Sequence, residues 1–359
     1  MPDDSLHATL ARADLLTDTA RHAEALEVVR PVLGSHPDDP RVHLMAAVCH
    51  LGLDGGGRAA LAHAQEAARL EPASEHAYRI QALAYLELEQ PREAAMVAER
   101  AVELEPRLWL AHYVLGHAAL GDRYSTHVAE RAAAEALRLA PHEPSVHLLV
   151  ARTRLDHGAR PTKEDRAVAE RHVREALRLD PQSAEAVHQL ARIQLKGSNP
   201  TKALSGFLGA LRLDPQSRES TYGLSQAVIA WVWRAHLVLW AVCVFVVRPS
   251  AKNALTSGAE GSRTFSLSVS LLALGLCIWV LVRLVRTSGG RFRAVVRATW
   301  RGDPLGAVWA ALLAPVAVAC VVASVLPPAP AQAIMAGAMI ALIVGVLLSW
   351  LRFWPGRRS

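Results

Sequence analysis

The chain has 359 residues, room for two domains, and its charge is unevenly divided: residues 1–227 hold 26 Lys+Arg against 31 Asp+Glu, and residues 228–359 hold 13 against 2. The overall excess of basic residues therefore belongs to the C-terminal part. No basic stripe with interleaved aromatics marks the first part, which argues against nucleic acid as a partner. Four cysteines, none at metal or redox spacing, read as small buried apolar residues.

The sequence begins Met-Pro-Asp-Asp-Ser-Leu-His, without the basic and apolar regions of a secretory signal. It then repeats itself. The stretch 176–181, Ala-Leu-Arg-Leu-Asp-Pro, returns at 210–215 and, with Ala before the proline, at 136–141; looser copies end at Pro37, Pro72 and Pro106. The six prolines are 35, 34, 35, 40 and 34 residues apart, a period near 34 that predicts a helical solenoid. Each copy reads as a helix end that proline prevents from continuing. Ten residues beyond the first five prolines sit Ala47, Ala82, Gly116, Ala151 and Ala191. A second small residue opens each partner helix: Ala25, Ala60, Ala94, Val128 or Ala129, Ala169 and Ala203. Small residues at fixed places let antiparallel helices approach closely.

On these residues the chain resembles the tetratricopeptide repeat (TPR) family over about residues 6–227, as six repeats and a closing helix. Further expectations follow along the chain. Pro31 lies inside the second helix of an atypical terminal repeat. Asp54-Gly-Gly-Gly57 makes a flexible turn, and the fifth repeat carries six extra residues around 156–161. The aromatic that the family has at position 4 is replaced by His43, His112 and His147, with Tyr78 the exception.

The resemblance implies an all-α fold with a right-handed TPR helical solenoid whose first helices line a groove. By that implication the groove is lined by Arg41, His76, Arg79, Tyr113, His117, Arg152, His188, Arg192 and Lys196, with Glu87, Asp156 and Glu185 as acidic members. This set is more basic than its domain and suits an acidic peptide or a C-terminal carboxylate, gripped by Arg forks. A solvated helical face whose Arg residues pair with nearby Glu is the plainer reading. The specific Lys and Asn positions of the family's carboxylate clamp are not met. Fifteen of the 16 histidines lie before residue 228. His112/His117 and His142/His147 are five apart, which does not bring both rings to one helical face, so no metal is expected and the rings read as packing or surface residues.

From residue 228 the chain turns apolar. Stretches at about 228–247, 265–285, 305–326 and 332–351 each have the length of a membrane-crossing helix, predicting a four-helix transmembrane region over 228–359. Eight of the nine tryptophans lie here, several near span ends. Arg234, inside the first stretch, is expected to reach back to the headgroups between Trp231 and Trp233. Between the second and third stretches, Arg293, Arg297 and Arg301 stack on one side of a short basic amphipathic helix, 291–301, which together with Arg291 suits an anionic lipid surface. The distribution of Arg places this loop, the C-terminus and the N-terminal repeats on the cytoplasmic side of a bacterial inner membrane. In the fourth stretch Gly337, Ala341 and Gly345 recur every four residues, a helix-packing row that fits either the neighbouring span or a homodimer seam. The preference for Arg over Lys and the Ala content are those of a GC-rich, actinobacterial type of genome.

No stretch contains Asp or Glu, which argues against coupled transport. No phosphate loop, nucleophile elbow or supported carboxylate pair occurs, so neither enzyme activity, nor catalytic residues, nor a cofactor is expected. The resulting expectation is a multi-pass, membrane-anchored cytoplasmic TPR scaffold that binds protein or peptide partners and touches lipid. The alternative is a membrane domain that carries the activity as channel, translocation component or membrane enzyme, with the repeats as a docking or sensor arm.

Overall fold

The computed structural model describes residues 2–122, 125–156, 161–242 and 304–326, together with isolated residues between 268 and 344. All regular structure among them is helical. The chain forms two compact units, residues 1–181 and 182–359. The composition shift at 227/228 falls elsewhere, inside one unbroken helix, Arg218–Val242.

The first unit contains α1 (Pro2–Asp18), α2 (His22–Ser35), α3 (Pro40–Leu51), α4 (Gly57–Leu70), α5 (Glu75–Glu87), α6 (Pro91–Leu104), α7 (Trp109–Gly121), α8 (Thr126–Leu139), α9 (Pro144–Asp156) and α10 (Lys163–Leu179). Within this unit each odd-numbered helix packs on its even-numbered partner, and consecutive odd-numbered helices from α1 to α9 pack on one another. Odd-numbered helices are therefore enclosed on more sides, and their sequences show it. In α7 the buried residues Ala111, His112, Val114, Leu115, Gly116, Ala118 and Ala119 run nearly all round the helix. Even-numbered helices bury only a stripe, for example Ala94, Ala98 and Ala101 in α6 and Ala129, Ala132, Ala133 and Ala136 in α8.

The helix ends explain the repeated proline. The residue before each one, among them Glu71, Glu105, Ala140, Asp180 and Asp214, leaves the helix at φ between −129° and −134°. Proline excludes the α conformation from its predecessor by clash with the ring. The N–H of each of these five still bonds back to an Ala carbonyl four residues earlier, at 2.8–3.0 Å, so the last turn stays closed. Helix starts are local too. Asp39 accepts from the Arg41 N–H with Pro40 at the first helical position, and Thr162 with Asp165 forms a reciprocal capping box on α10.

The phased small residues close the hairpins. Ala47, Ala82, Ala151 and Ala191, and their partners Ala25, Ala60, Ala94, Ala129, Ala169 and Ala203, are all fully buried. Val128 is only partly buried, so Ala129 holds the eighth helix's position. A Cβ on Gly116 would stand 2.9 Å from Leu149 Cδ2, so that site admits no side chain without a shift. Cys49 is buried in the cluster formed by α1, α2 and α3 with Leu6, Ala13, Val29 and Val42, as a small apolar residue.

The second unit contains α11 (Ala184–Lys196), α12 (Pro200–Leu213), α13 (Arg218–Val242) and α14 (Pro304–Val325). Its core is built on Phe207, fully buried, with Ala191, Leu204, Leu224, Ala227, Val228 and Ile229 around it and Val316, Ala317 and Ala323 of α14 in the same cluster. The start of the first apolar stretch is thus the buried face of a closing helix packed on α12. Arg234 is exposed and is held by the turn between α11 and α12. Its Nη2 donates to the Ser198 carbonyl, 2.7 Å away, and its guanidinium lies 5.8 Å from the Trp231 ring centroid. Ser198 sits in the α11–α12 turn at φ +61°, where a carbonyl is left without a helical partner.

Among the described residues no helix is long and apolar enough to cross a membrane, so the four-span region expected from the sequence has no support from them. The stretches at 265–285 and 332–351 lie mostly outside the described residues, as does the end of the first. Only α14 matches an expected stretch, and several of its side chains are also outside the described set.

Candidate peptide-docking face

The odd-numbered helices of the first unit stand side by side, which brings six of the nine expected groove residues onto consecutive elements: Arg41 on α3, His76 and Arg79 on α5, Tyr113 and His117 on α7, and Arg152 on α9. His188, Arg192 and Lys196 lie on α11, in the second unit.

The best-defined cluster is on α7 and α9. Residues four apart on a helix share a face, and Trp109, Tyr113 and His117 follow that spacing. The Trp109 and Tyr113 rings meet edge to face at 6.1 Å, and the Tyr113 and His117 rings are tilted at 6.2 Å. Arg152 Nη1 donates to His117 Nε2 across 2.7 Å, from one hairpin to the next. An arginine cannot accept, so His117 Nε2 carries the lone pair and the ring is neutral in this arrangement. Trp109 was not among the groove residues expected from the sequence, although its four-residue spacing from Tyr113 was there to be read.

The other cations are engaged differently. Arg79 Nε donates to Glu75 Oε1 at 2.7 Å, and both side chains are largely buried. Arg41 is exposed and bonds Asp39 through Nη2 at 2.8 Å and Nε at 3.1 Å. That hydrogen bond holds the Asp39 carboxyl below the usual carboxylate range, against the opposing effect of burial. His76 keeps an exposed edge, yet the protein around it disfavours the charged ring and lowers its pKa; Arg79 acts in the same sense and Asp14 of α1 opposes it.

His188 is not on an open face. It is buried, with Nδ1 3.0 Å from Ser220 Oγ and its ring edge-on to Phe207 at 5.4 Å, and so ties α11 to α12 and α13. Arg192 donates to Gln189 Oε1 at 2.9 Å, and Lys196 is half-buried at the end of α11. Of the acidic members, Glu87 lies at the end of α5 and packs against Gly57. Asp156 ends α9 and Glu185 opens α11.

Outside this face, Val296, Arg297 and Trp300 are helical and exposed, while Arg291, Arg293 and Arg301 lie outside the described residues. In the fourth stretch Ala338 is buried and Ala341 packs against the Phe207 cluster. A Cβ on Gly337 would meet nothing within 4 Å, and Gly345 is outside the described residues.

Sequence histidines that replace the family aromatic share one device. His43, His112 and His147 each set Nε2 against the carbonyl of the proline six residues earlier, Pro37, Pro106 and Pro141, at 2.8, 2.9 and 3.0 Å. The ring packs where an aromatic would, and its N–H satisfies a carbonyl at the junction between hairpins.

Comparison with known proteins places these features. The tetratricopeptide repeat model matches residues 10–76 and 162–234. Among solved structures, the chain is similar to TTC0263, a thermophilic TPR protein of Thermus thermophilus, at 22% identity, covering 53% of this chain and 98% of that one with a TM-score of 0.47. It is similar to PilF of Pseudomonas aeruginosa at 19% identity, covering 61% and 96% with a TM-score of 0.47. It is also similar to YrrB, described as a TPR protein with an unusual peptide-binding site, at 18% identity, covering 54% and 96% with a TM-score of 0.38. No curated protein matches the chain. The family model thus detects tetratricopeptide repeats at residues 10–76 and 162–234, in line with the repeat period and with the proline-ended hairpins and their buried small residues.

Proposed function

We propose that the face formed by α5, α7 and α9 docks an extended, acidic segment of a partner protein, and that the apolar C-terminal part holds the complex at a membrane. The observation that carries the docking reading is the state of Arg152. Across the even-numbered helices arginines are neutralised locally, as in Arg69–Glu66, Arg138–Glu135 and Arg178–Glu175. Arg152 instead rests on a neutral imidazole, and among the described residues no carboxylate pairs with it. Its guanidinium keeps hydrogen-bonding capacity for a partner's carboxylate, and the rings of Tyr113 and Trp109, which continue from His117 along α7, offer apolar contact at low entropic cost. Binding, not catalysis, is the activity.

Membrane attachment rests on the sequence and on exposed apolar side chains. α14 has no charged residue in 22 positions and exposes Val308, Val318, Val322 and Val325. Leu271, Ile278, Ile340 and Ile343 are also exposed. Apolar surface of this extent calls for a cover, and lipid supplies one. With the basic loop and tail on the cytoplasmic side, the repeats share that side.

Crosslinked co-purification from native membranes tests both halves. Partners should be recovered with the wild type and lost with Arg152→Glu and with a chain lacking residues 1–227. Partners retained by both variants would move the binding activity into the C-terminal half. Recovery of the protein in the soluble fraction after cell breakage would refute the attachment.

A further inference from the structure

Two histidine pairs recur at equivalent places in the first unit. In the hairpin α3–α4, His43 Nδ1 lies 3.2 Å from His63 Nδ1; in α9–α10, His147 Nδ1 lies 3.1 Å from His172 Nδ1. The rings are set alike, with centroids 5.4 Å apart in both pairs and interplanar angles of 40° and 33°. His43 and His147 are each fixed from behind, since Nε2 faces a proline carbonyl at 2.8 and 3.0 Å. Because that nitrogen donates, Nδ1 of His43 and of His147 must present a lone pair to its partner.

From this geometry we propose that each pair is a two-nitrogen site for a divalent transition metal of the imidazole-preferring class, Zn²⁺, Ni²⁺ or Cu²⁺. Two nitrogens at tetrahedral positions on bonds of about 2.0–2.1 Å stand about 3.3 Å apart, close to the separation of both pairs. A backbone carbonyl behind a ligating imidazole is the usual means of fixing its tautomer and orientation. Without metal, the proton on His63 Nδ1 or His172 Nδ1 bridges the pair. On metal binding that proton passes to Nε2 of the same ring, so both Nδ1 lone pairs face the ion and the neutral pair releases no net proton. Among the described residues no cluster of three His, Cys, Asp or Glu is placed to hold an ion, so each pair supplies two ligands and water completes the shell. His50 stacks flat on His63, at 5.6 Å and 11°, and supports the ring from its face.

The test is zinc competition against a chromophoric chelator, using the full-length protein stripped of metal. His63→Gln and His172→Gln are each expected to remove one zinc site per chain, and the double variant to remove two. His50→Gln should remove none, and Mg²⁺ should not compete. His43→Phe and His147→Phe keep a ring in the packing position and should lose the same sites, which separates ligation from folding; helical circular dichroism confirms that each variant is folded. A wild type that binds no zinc, or a folded double variant that binds as much as the wild type, overturns the proposal and leaves two ordinary hydrogen-bonded histidine pairs.

Discussion

Phe207 and Gly223 provide the sharpest test of the packing argument. Phe207 is fully buried, and its ring lies against Gly223 so closely that a Cβ there would stand 2.6 Å from Cζ and 2.8 Å from Cδ1. Phe207→Ala removes the largest fully buried side chain among the described residues and should cost about 3–5 kcal/mol in the second unit. Gly223→Ala has two opposed effects. Inside α13 the substitution gains about 1 kcal/mol of helix propensity. Against Phe207 it overpacks, at about 1–3 kcal/mol. In the wild-type background the net change should therefore run from neutral to about 2 kcal/mol destabilising. In the Phe207→Ala background the ring is gone, and Gly223→Ala should stabilise by about 1 kcal/mol. The sign changes with the partner, giving a coupling of about 1–3 kcal/mol. Hydrogen exchange read by mass spectrometry on peptides from α11 to α13 measures the opening free energy of this region without unfolding the rest. Equal destabilisation by Gly223→Ala in both backgrounds would refute the reasoning, because the Phe207 contact would then not be the cause.

Other outcomes follow from single groups. His76 has a folded pKa below its unfolded one, so the unfolded chain binds more protons; its contribution is complete above the ordinary His value near 6.5 and is lost as pH falls below it, and thermal unfolding from pH 8 to 5 should show a shallower acid loss in His76→Gln. Burial pushes the Cys49 thiol up to about 11, so at pH 7.5 its peptide should resist iodoacetamide in the folded protein and label rapidly in denaturant, as followed by mass spectrometry. Thr162→Ala removes the hydroxyl half of the capping box on α10, leaving the backbone N–H at 162 to donate to Asp165, and should cost about 1 kcal/mol, seen as faster amide exchange confined to the first turn of that helix.

The repeat architecture was legible because its determinants are local. Proline acts on the residue before it, caps act within three residues, and a methyl-sized side chain every repeat is visible as a period. The observed ends of α4, α6, α8, α10 and α12 and the burial of Ala47, Ala82, Ala151 and Ala191 follow from those short-range rules. The sequence offered candidates for the face, six of which fall on α3, α5, α7 and α9, and left out Trp109 and the chemistry of each group. That Arg152 rests on His117, while Arg79 is consumed by Glu75 and His188 is buried under α13, depends on partners that the residue types alone leave open.

The chain of residues by itself thus determined where helices begin and end, which positions must be small, and the opposed charges of the two halves. Tertiary structure decided what the histidines do, since His43 meets His63 and His147 meets His172 across 20 and 25 residues of chain. It also decided that Arg234 bonds the Ser198 carbonyl 36 residues away, and that the first apolar stretch opens as the buried side of α13. An apolar run and a histidine carry no label for their partner. Hydrophobic burial is non-directional, and an imidazole can pack, donate or accept, so which of these occurs is set only when the helices have come together.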